Sequence, residues 1–133
     1  VRKIEVKATP EECVRQKVLL LLMQNLGYPS SLIVVEKKLS ELPLSQSDIK
    51  KIPNRRIDIL CFASGKLFQP LLLIECKAKS FGDRELRQLL GYNYYVGAHA
   101  VALVNNKKTA FLEVSSQLVQ DYIPTYQQLS LAL

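Results

Sequence analysis

Apolar positions along the chain follow two periods, and the switch between them marks out the elements. Val14, Val18, Leu21 and Leu22 recur at the three-to-four residue spacing of a helix face. Thr9-Pro10-Glu11-Glu12 stands just ahead of this stripe. Threonine is a favoured N-cap, and proline suits the first helical position, where its missing N–H costs nothing. Glu12 falls three residues after Thr9, where a capping box closes. The pattern predicts a helix over 10–26 stopped by Gly27. The unbroken apolar run at 19–22 predicts burial on more than one side of it.

Short apolar runs follow. Leu32-Ile33-Val34-Val35 predicts a strand continuing toward Leu39. Residues 41–54 are polar, carry Pro43 and Pro53, and read as a connecting loop, long enough to suggest a functional segment. Strands are expected over 55–62 and 71–78. Asp83 can cap a second helix over 84–95, with Leu86, Leu89 and Leu90 toward the sheet. Residues 100–104 read as a buried strand, Asn105-Asn106-Lys107-Lys108 as a turn, and 110–114 as the returning strand. The tail from Ser115, with Tyr122, Tyr126 and Leu129, reads as a helical or irregular cover. The first three strands can meander antiparallel, and the fourth returns by a helical crossover, parallel to 71–78. The expected class is α/β, a mixed sheet with helices packed on it, in one domain over 1–133.

Ionisable residues interrupt the apolar runs at two positions. Glu75-Cys76-Lys77 follows Pro70-Leu71-Leu72-Leu73-Ile74, and Asp58 sits within Arg55-Arg56-Ile57-Asp58-Ile59-Leu60-Cys61-Phe62. Side chains alternate along a strand, so Glu75 and Lys77 share a face and Cys76 points the other way. If Phe62 lies opposite Leu71 across the loop 63–69, the same register sets Asp58 opposite Glu75 and Arg56 opposite Lys77. Opposed residues have Cβ atoms roughly 4.5–5.5 Å apart, and like charges there repel. A divalent cation between the carboxylates relieves that repulsion. Asp58, Glu75 and the Cys76 carbonyl then supply oxygen ligands, and Lys77 supplies a cation, which is the core of a metal-dependent phosphodiesterase. A one-residue slip would separate the two carboxylates. The plainer alternative is a buried ion pair of Lys77 with Glu75 or Asp58.

Other candidates carry less on residue type alone. Gln88 and Tyr92 are spaced i, i+4 on one helix face and could contact a substrate backbone, although packing for Tyr92 and solvent exposure for Gln88 explain them equally well. Arg84 and Arg87 are phosphate contacts or solvated charges. Glu12 is either a further metal ligand or only a helix cap, and Glu11 competes with it. His99 reads as a strand-edge histidine rather than a general base.

Composition narrows the partners. The chain has 133 residues, 48% of them hydrophobic, and a formal net charge of +6. This suits a compact core and an anionic partner, nucleic acid first. Basic pairs recur at Lys37-Lys38, Lys50-Lys51, Arg55-Arg56 and Lys107-Lys108. Cys13, Cys61 and Cys76 lie in apolar contexts without CxxC spacing, which suits buried reduced thiols and a cytoplasmic location. A single histidine argues against a zinc site. No apolar run approaches the roughly 18 residues of a membrane span. No GxxxxGK[ST] occurs in these residues, so ATP-driven work is expected from another chain or another region.

The chain resembles the PD-(D/E)xK nuclease superfamily, and within it the N-terminal nuclease domain of type I restriction enzyme R subunits, including stand-alone forms of that domain. The resemblance rests on Thr9-Pro10-Glu11-Glu12-Cys13-Val14-Arg15-Gln16, Arg55-Arg56-Ile57-Asp58-Ile59, Pro70-Leu71-Leu72-Leu73-Ile74-Glu75-Cys76-Lys77-Ala78 and Gln88-Leu89-Leu90-Gly91-Tyr92-Asn93, in that order. Gln88 and Tyr92 also match the QxxxY motif of restriction and helicase-linked nucleases. Ile57 stands where the superfamily name has proline. The resemblance implies a restriction-endonuclease-like αβββαβ core and DNA cleavage with Mg2+, or Mn2+ in its place. It implies metal ligation at Asp58 and Glu75, catalysis by Lys77, and a substrate role for Gln88 and Tyr92. It also raises Glu12 as a helix-borne ligand.

The expected function is therefore a metal-dependent DNA endonuclease. The alternatives are a catalytically inactive nucleic-acid-binding module of the same fold and a repair or junction-resolving nuclease. Expected partners are DNA and either a second copy or a helicase or restriction subunit, with no membrane.

Overall fold

The computed structural model describes residues 9–42, 55–65, 69–116 and 118–133. Its central strand, β3 (Gln69–Cys76), is apolar on both faces, and Leu71, Leu72, Leu73 and Ile74 are all at most 1% exposed. A strand buried on both sides needs a layer on each side. α1 (Pro10–Leu20) covers one face and α2 (Asp83–Val96) the other. Around β3 the described strands are β1 (Ile33–Val35), β2 (Ile59–Ala63), β4 (Ala100–Val104) and β5 (Thr109–Glu113), in the spatial order β1-β2-β3-β4-β5. β3 and β4 run parallel, joined through α2, and every other neighbouring pair is antiparallel. A short α3 (Tyr126–Ser130) completes three α-helices on a five-stranded mixed sheet among the described residues, consistent with a restriction-endonuclease-like core.

Each face has its own apolar layer. Val14, Val18 and Leu22 pack with Leu72, Ile74 and Phe111, and Ile123 and Leu129 of the tail close that layer. Leu86, Leu89, Tyr92 and Val96 pack with Leu60, Leu73, Val101 and Leu103 on the other face. Full burial of each such side chain contributes roughly 1.5–3 kcal/mol before entropy is charged against it.

Several local expectations change. The first helix leaves α geometry after Leu20 and continues as a π turn over Leu21–Asn25, with the Leu26 N–H donating to the Leu21 carbonyl at 3.1 Å. It packs by one stripe only. Leu22 is fully buried, while Leu20 and Leu21 are 50% and 41% exposed, against the expectation of burial on more than one side. Gly27 ends it with φ 74. Leu39 does not extend β1 but begins a 3-10 turn, Leu39–Glu41. Residues 43–54, most of the expected loop, lie outside the described residues.

The strand expected from Arg55 becomes regular only at Ile59. Arg56 makes an isolated bridge to Lys38, and the chain bends at Asp58. Strict alternation would put Ile57 and Leu60 on opposite faces, yet both join the α2-side core. α2 is capped at Gly82, one residue before Asp83, and Glu85 Oε1 accepts the Gly82 N–H at 2.7 Å. Cys13 is exposed, against the expectation of burial. Cys61 and Cys76 are buried, and that burial pushes both thiols up to about 12. No helix among the described residues is long and apolar enough to cross a membrane.

Candidate functional site

The site lies where β2 begins and β3 ends. Ile59 opposes Ile74, Leu60 opposes Leu73, and Cys61 opposes Leu72, the expected register. A bulge then shifts the far end, so Phe62 faces Pro70 rather than Leu71. At the other end the ladder stops at Ile59–Ile74, so the expected pairs Asp58–Glu75 and Arg56–Lys77 do not form, and Arg56 bridges Lys38 instead. Asp58 itself is outside the ladder. The bend turns its side chain toward β3, where Oδ2 accepts the Cys76 N–H at 2.7 Å. A strand residue's N–H and C=O face the same neighbour, so the Cys76 carbonyl projects toward the Asp58 edge as well.

Glu75 stands on the α2 face between two cations. Its Oε1 accepts a hydrogen bond from Arg55, and its Oε2 lies 3.2 Å from Lys77 Nζ. Glu75 and Lys77 thus share a face. The Arg55 guanidinium also lies over the Tyr92 ring, 4.4 Å from its centroid. The Tyr92 hydroxyl donates to the Arg55 carbonyl at 3.3 Å, which holds the segment before Asp58 against α2.

Burial raises the Asp58 carboxyl above its ordinary 3.8, and the charges of Glu75 and Glu11 push in the same direction. The Cys76 N–H and Arg15 oppose them. Burial likewise lifts the Tyr92 hydroxyl to about 12, so Tyr92 is a neutral donor at physiological pH.

The remaining candidates divide. Gln88, Arg84 and Arg87 are exposed on α2, whereas Tyr92 is buried. The Glu12 N–H donates to Thr9 Oγ1 at 3.1 Å, so Thr9 is the cap. The Glu12 side chain pairs with Arg15, which also reaches Glu36 at 3.2 Å. Glu11, beside it on the first helix, is a carboxylate whose charge acts on Asp58. His99 pairs with Glu113 at 2.7 Å, at the opposite end of β4.

Sequence reasoning missed Arg55 and Arg15. Arg55 carried a faint signal, lying three residues before Asp58 at the foot of a strand. The structure sets it against Glu75 and over the Tyr92 ring. Arg15 reads in sequence as an ordinary solvent-facing helix residue.

Among the described residues no three His, Cys, Asp or Glu side chains gather as a metal cage. A hard cation does not need such a cage. Magnesium keeps several waters and takes one or two carboxylates. Asp58, Glu75 and the Cys76 carbonyl are oxygen donors, the type such a cation takes.

The family model described as type I restriction enzyme R protein N terminus matches residues 10–127. That span takes in both site strands and both long helices. No curated protein matches the chain.

Proposed function

The chain belongs to the type I restriction enzyme R protein N-terminal family, and on that premise we propose that it is a magnesium-dependent DNA endonuclease domain. The observation that carries the reading is the meeting of Asp58, Glu75 and Lys77 at one end of the β2–β3 pair. Asp58 and Glu75, with the Cys76 carbonyl, would hold the cation. When bound, it activates water and neutralises charge on the attacked phosphate.

The chain's own groups do the rest. Lys77 carries a fixed positive charge beside Glu75, where it orients water or offsets charge developing on the phosphate. Tyr92 holds Arg55, which can turn from Glu75 to a phosphate oxygen in a two-pronged contact. Gln88, Arg84 and Arg87 are exposed donors on the same helix and would hold the substrate backbone. Family membership brings DNA and a restriction-system setting. A motor subunit or a second copy is a proposed partner.

A second reading is supported by Glu75, both of whose oxygens are engaged by cations of the chain itself. Such a site could bind DNA without cutting it. Incubation of supercoiled plasmid with Mg2+ or Mn2+ separates the two. Nicking or linearisation that disappears in EDTA and in Lys77→Ala supports the nuclease. An inert wild type that still retards DNA at low salt supports the binding module.

A further inference from the structure

Lysines gather beside the site in a position that neither the metal reading nor α2 employs. Because β3 and β4 are parallel, the end of β4 lies beside the end of β3, with Cys76 opposite Val104. The Lys77 N–H continues the pairing by donating to the Val104 carbonyl at 2.8 Å. The turn after β4 therefore stands next to the chain leaving Lys77. Asn105 ties the two together. Its Nδ2 donates to the Lys79 carbonyl at 3.1 Å, and its Oδ1 accepts the N–H groups of Lys107 and Lys108 at 2.8 Å and 2.7 Å.

Asparagine closing its own turn is ordinary turn chemistry. The bond to Lys79 is additional, since the turn does not need it. It ties the backbone at Lys79 to the turn that carries Lys107. Lys79 and Lys107 are exposed and form no ion pair among the described residues. Lys17 of α1 approaches the same turn, with Nζ 3.5 Å from Asn106 Oδ1. Between α1 and the turn lies a cleft of about 200 Å³ lined by Lys17, Leu21, Val104, Asn105 and Asn106 among others. Lys108 is already engaged, its Nζ lying 5.0 Å over the Phe81 ring. Tethering two lysine-bearing segments concentrates positive charge at this end of the sheet, and like charges repel. An anion crossing the surface removes that penalty.

We infer that Lys79 and Lys107, with Lys17 behind them, form a phosphate track that carries the DNA backbone across the turn between β4 and β5 beside the Asp58–Glu75 site. The inference rests on the nuclease reading of that site. The track offers ammonium point charges and no described aromatic platform, and Asn105 has its amide committed to backbone. It therefore positions DNA without reading bases.

Titration of a short fluorescent DNA duplex in EDTA across a salt series tests this, with Lys79→Gln/Lys107→Gln beside the wild type. Two lost phosphate contacts are expected to flatten the slope of log K against log salt by about 1.8 and to weaken binding about tenfold or more at low salt. Cleavage at saturating DNA should stay at the wild-type rate, while the DNA concentration needed rises. Asn105→Ala keeps every charge but unties the segments, and weaker binding with the wild-type slope is expected. Unchanged affinity and slope in the lysine variant, with a wild type that binds and cuts, overturns the track and leaves the nuclease standing. Lost cleavage at saturating DNA also overturns it. A wild type that neither binds nor cuts overturns both readings.

Discussion

Asp58 accepts the Cys76 N–H at 2.7 Å, so one carboxylate both stands at the candidate metal site and closes the end of the β2–β3 ladder. The two roles separate by substitution. Asp58→Asn keeps an oxygen for the Cys76 N–H and is expected to hold wild-type stability to within about 1 kcal/mol. Asp58→Ala leaves a buried donor unpaired and is expected to lose about 1–3 kcal/mol. Denaturant unfolding of the two variants beside wild type measures the difference. Equal loss in both would show that the hydrogen bond contributes nothing.

The same residue sets a pH dependence. Its folded-state value is raised above the ordinary 3.8, chiefly by burial, so the native state holds the proton more readily than the unfolded chain. That contribution to stability is present below the ordinary value and is lost as pH rises through the raised value. Metal-free wild type should therefore lose stability relative to Asp58→Asn as pH climbs from about 4. Thermal melts of both proteins across pH, without metal, record it. Adding Mg2+ at neutral pH should narrow the gap, because a cation compensates the buried charge.

Arg55 yields a prediction opposite in sign to that for a helper residue. Its guanidinium occupies Glu75 Oε1, the group offered to a cation, while stacked on Tyr92. Arg55→Met keeps most of the apolar stem against Tyr92 and removes the competing charge. It should bind Mg2+ several-fold more tightly in calorimetric titration, while binding DNA more weakly. Weaker Mg2+ binding in this variant would mean that Arg55 helps to assemble the site rather than blocking it.

Much of this arrangement was legible in the chain. Residues 100–104 form β4 to the residue, because an apolar run bounded by turn chemistry has few alternatives. The β2–β3 register expected from setting Phe62 opposite Leu71 holds from Ile59 to Cys61, but Phe62 lies opposite Pro70. The apolar pattern could not choose between the two, because both strands are buried on both faces. Asp58 was legible as an interruption, but its bend was not. Alternation presumes extended backbone, and there the chain bends and the Asp58 side chain accepts the Cys76 N–H. Arg55 and Arg15 escaped as well, because their partners are fixed by how the segments pack and by the seating of α1. Glu12 was read from its place three residues after Thr9, whereas its carboxylate turns to Arg15. That pairing depends on the rotation of α1, which a stripe of apolar residues fixes only coarsely.

The most direct measurement is Mg2+-dependent cleavage of supercoiled plasmid by Asp58→Asn beside wild type, with duplex binding in EDTA followed in parallel. The account predicts that wild type cuts only with the metal, and that Asp58→Asn binds the duplex like wild type but does not cut it. Cleavage by Asp58→Asn at the wild-type rate would contradict the assignment of the site.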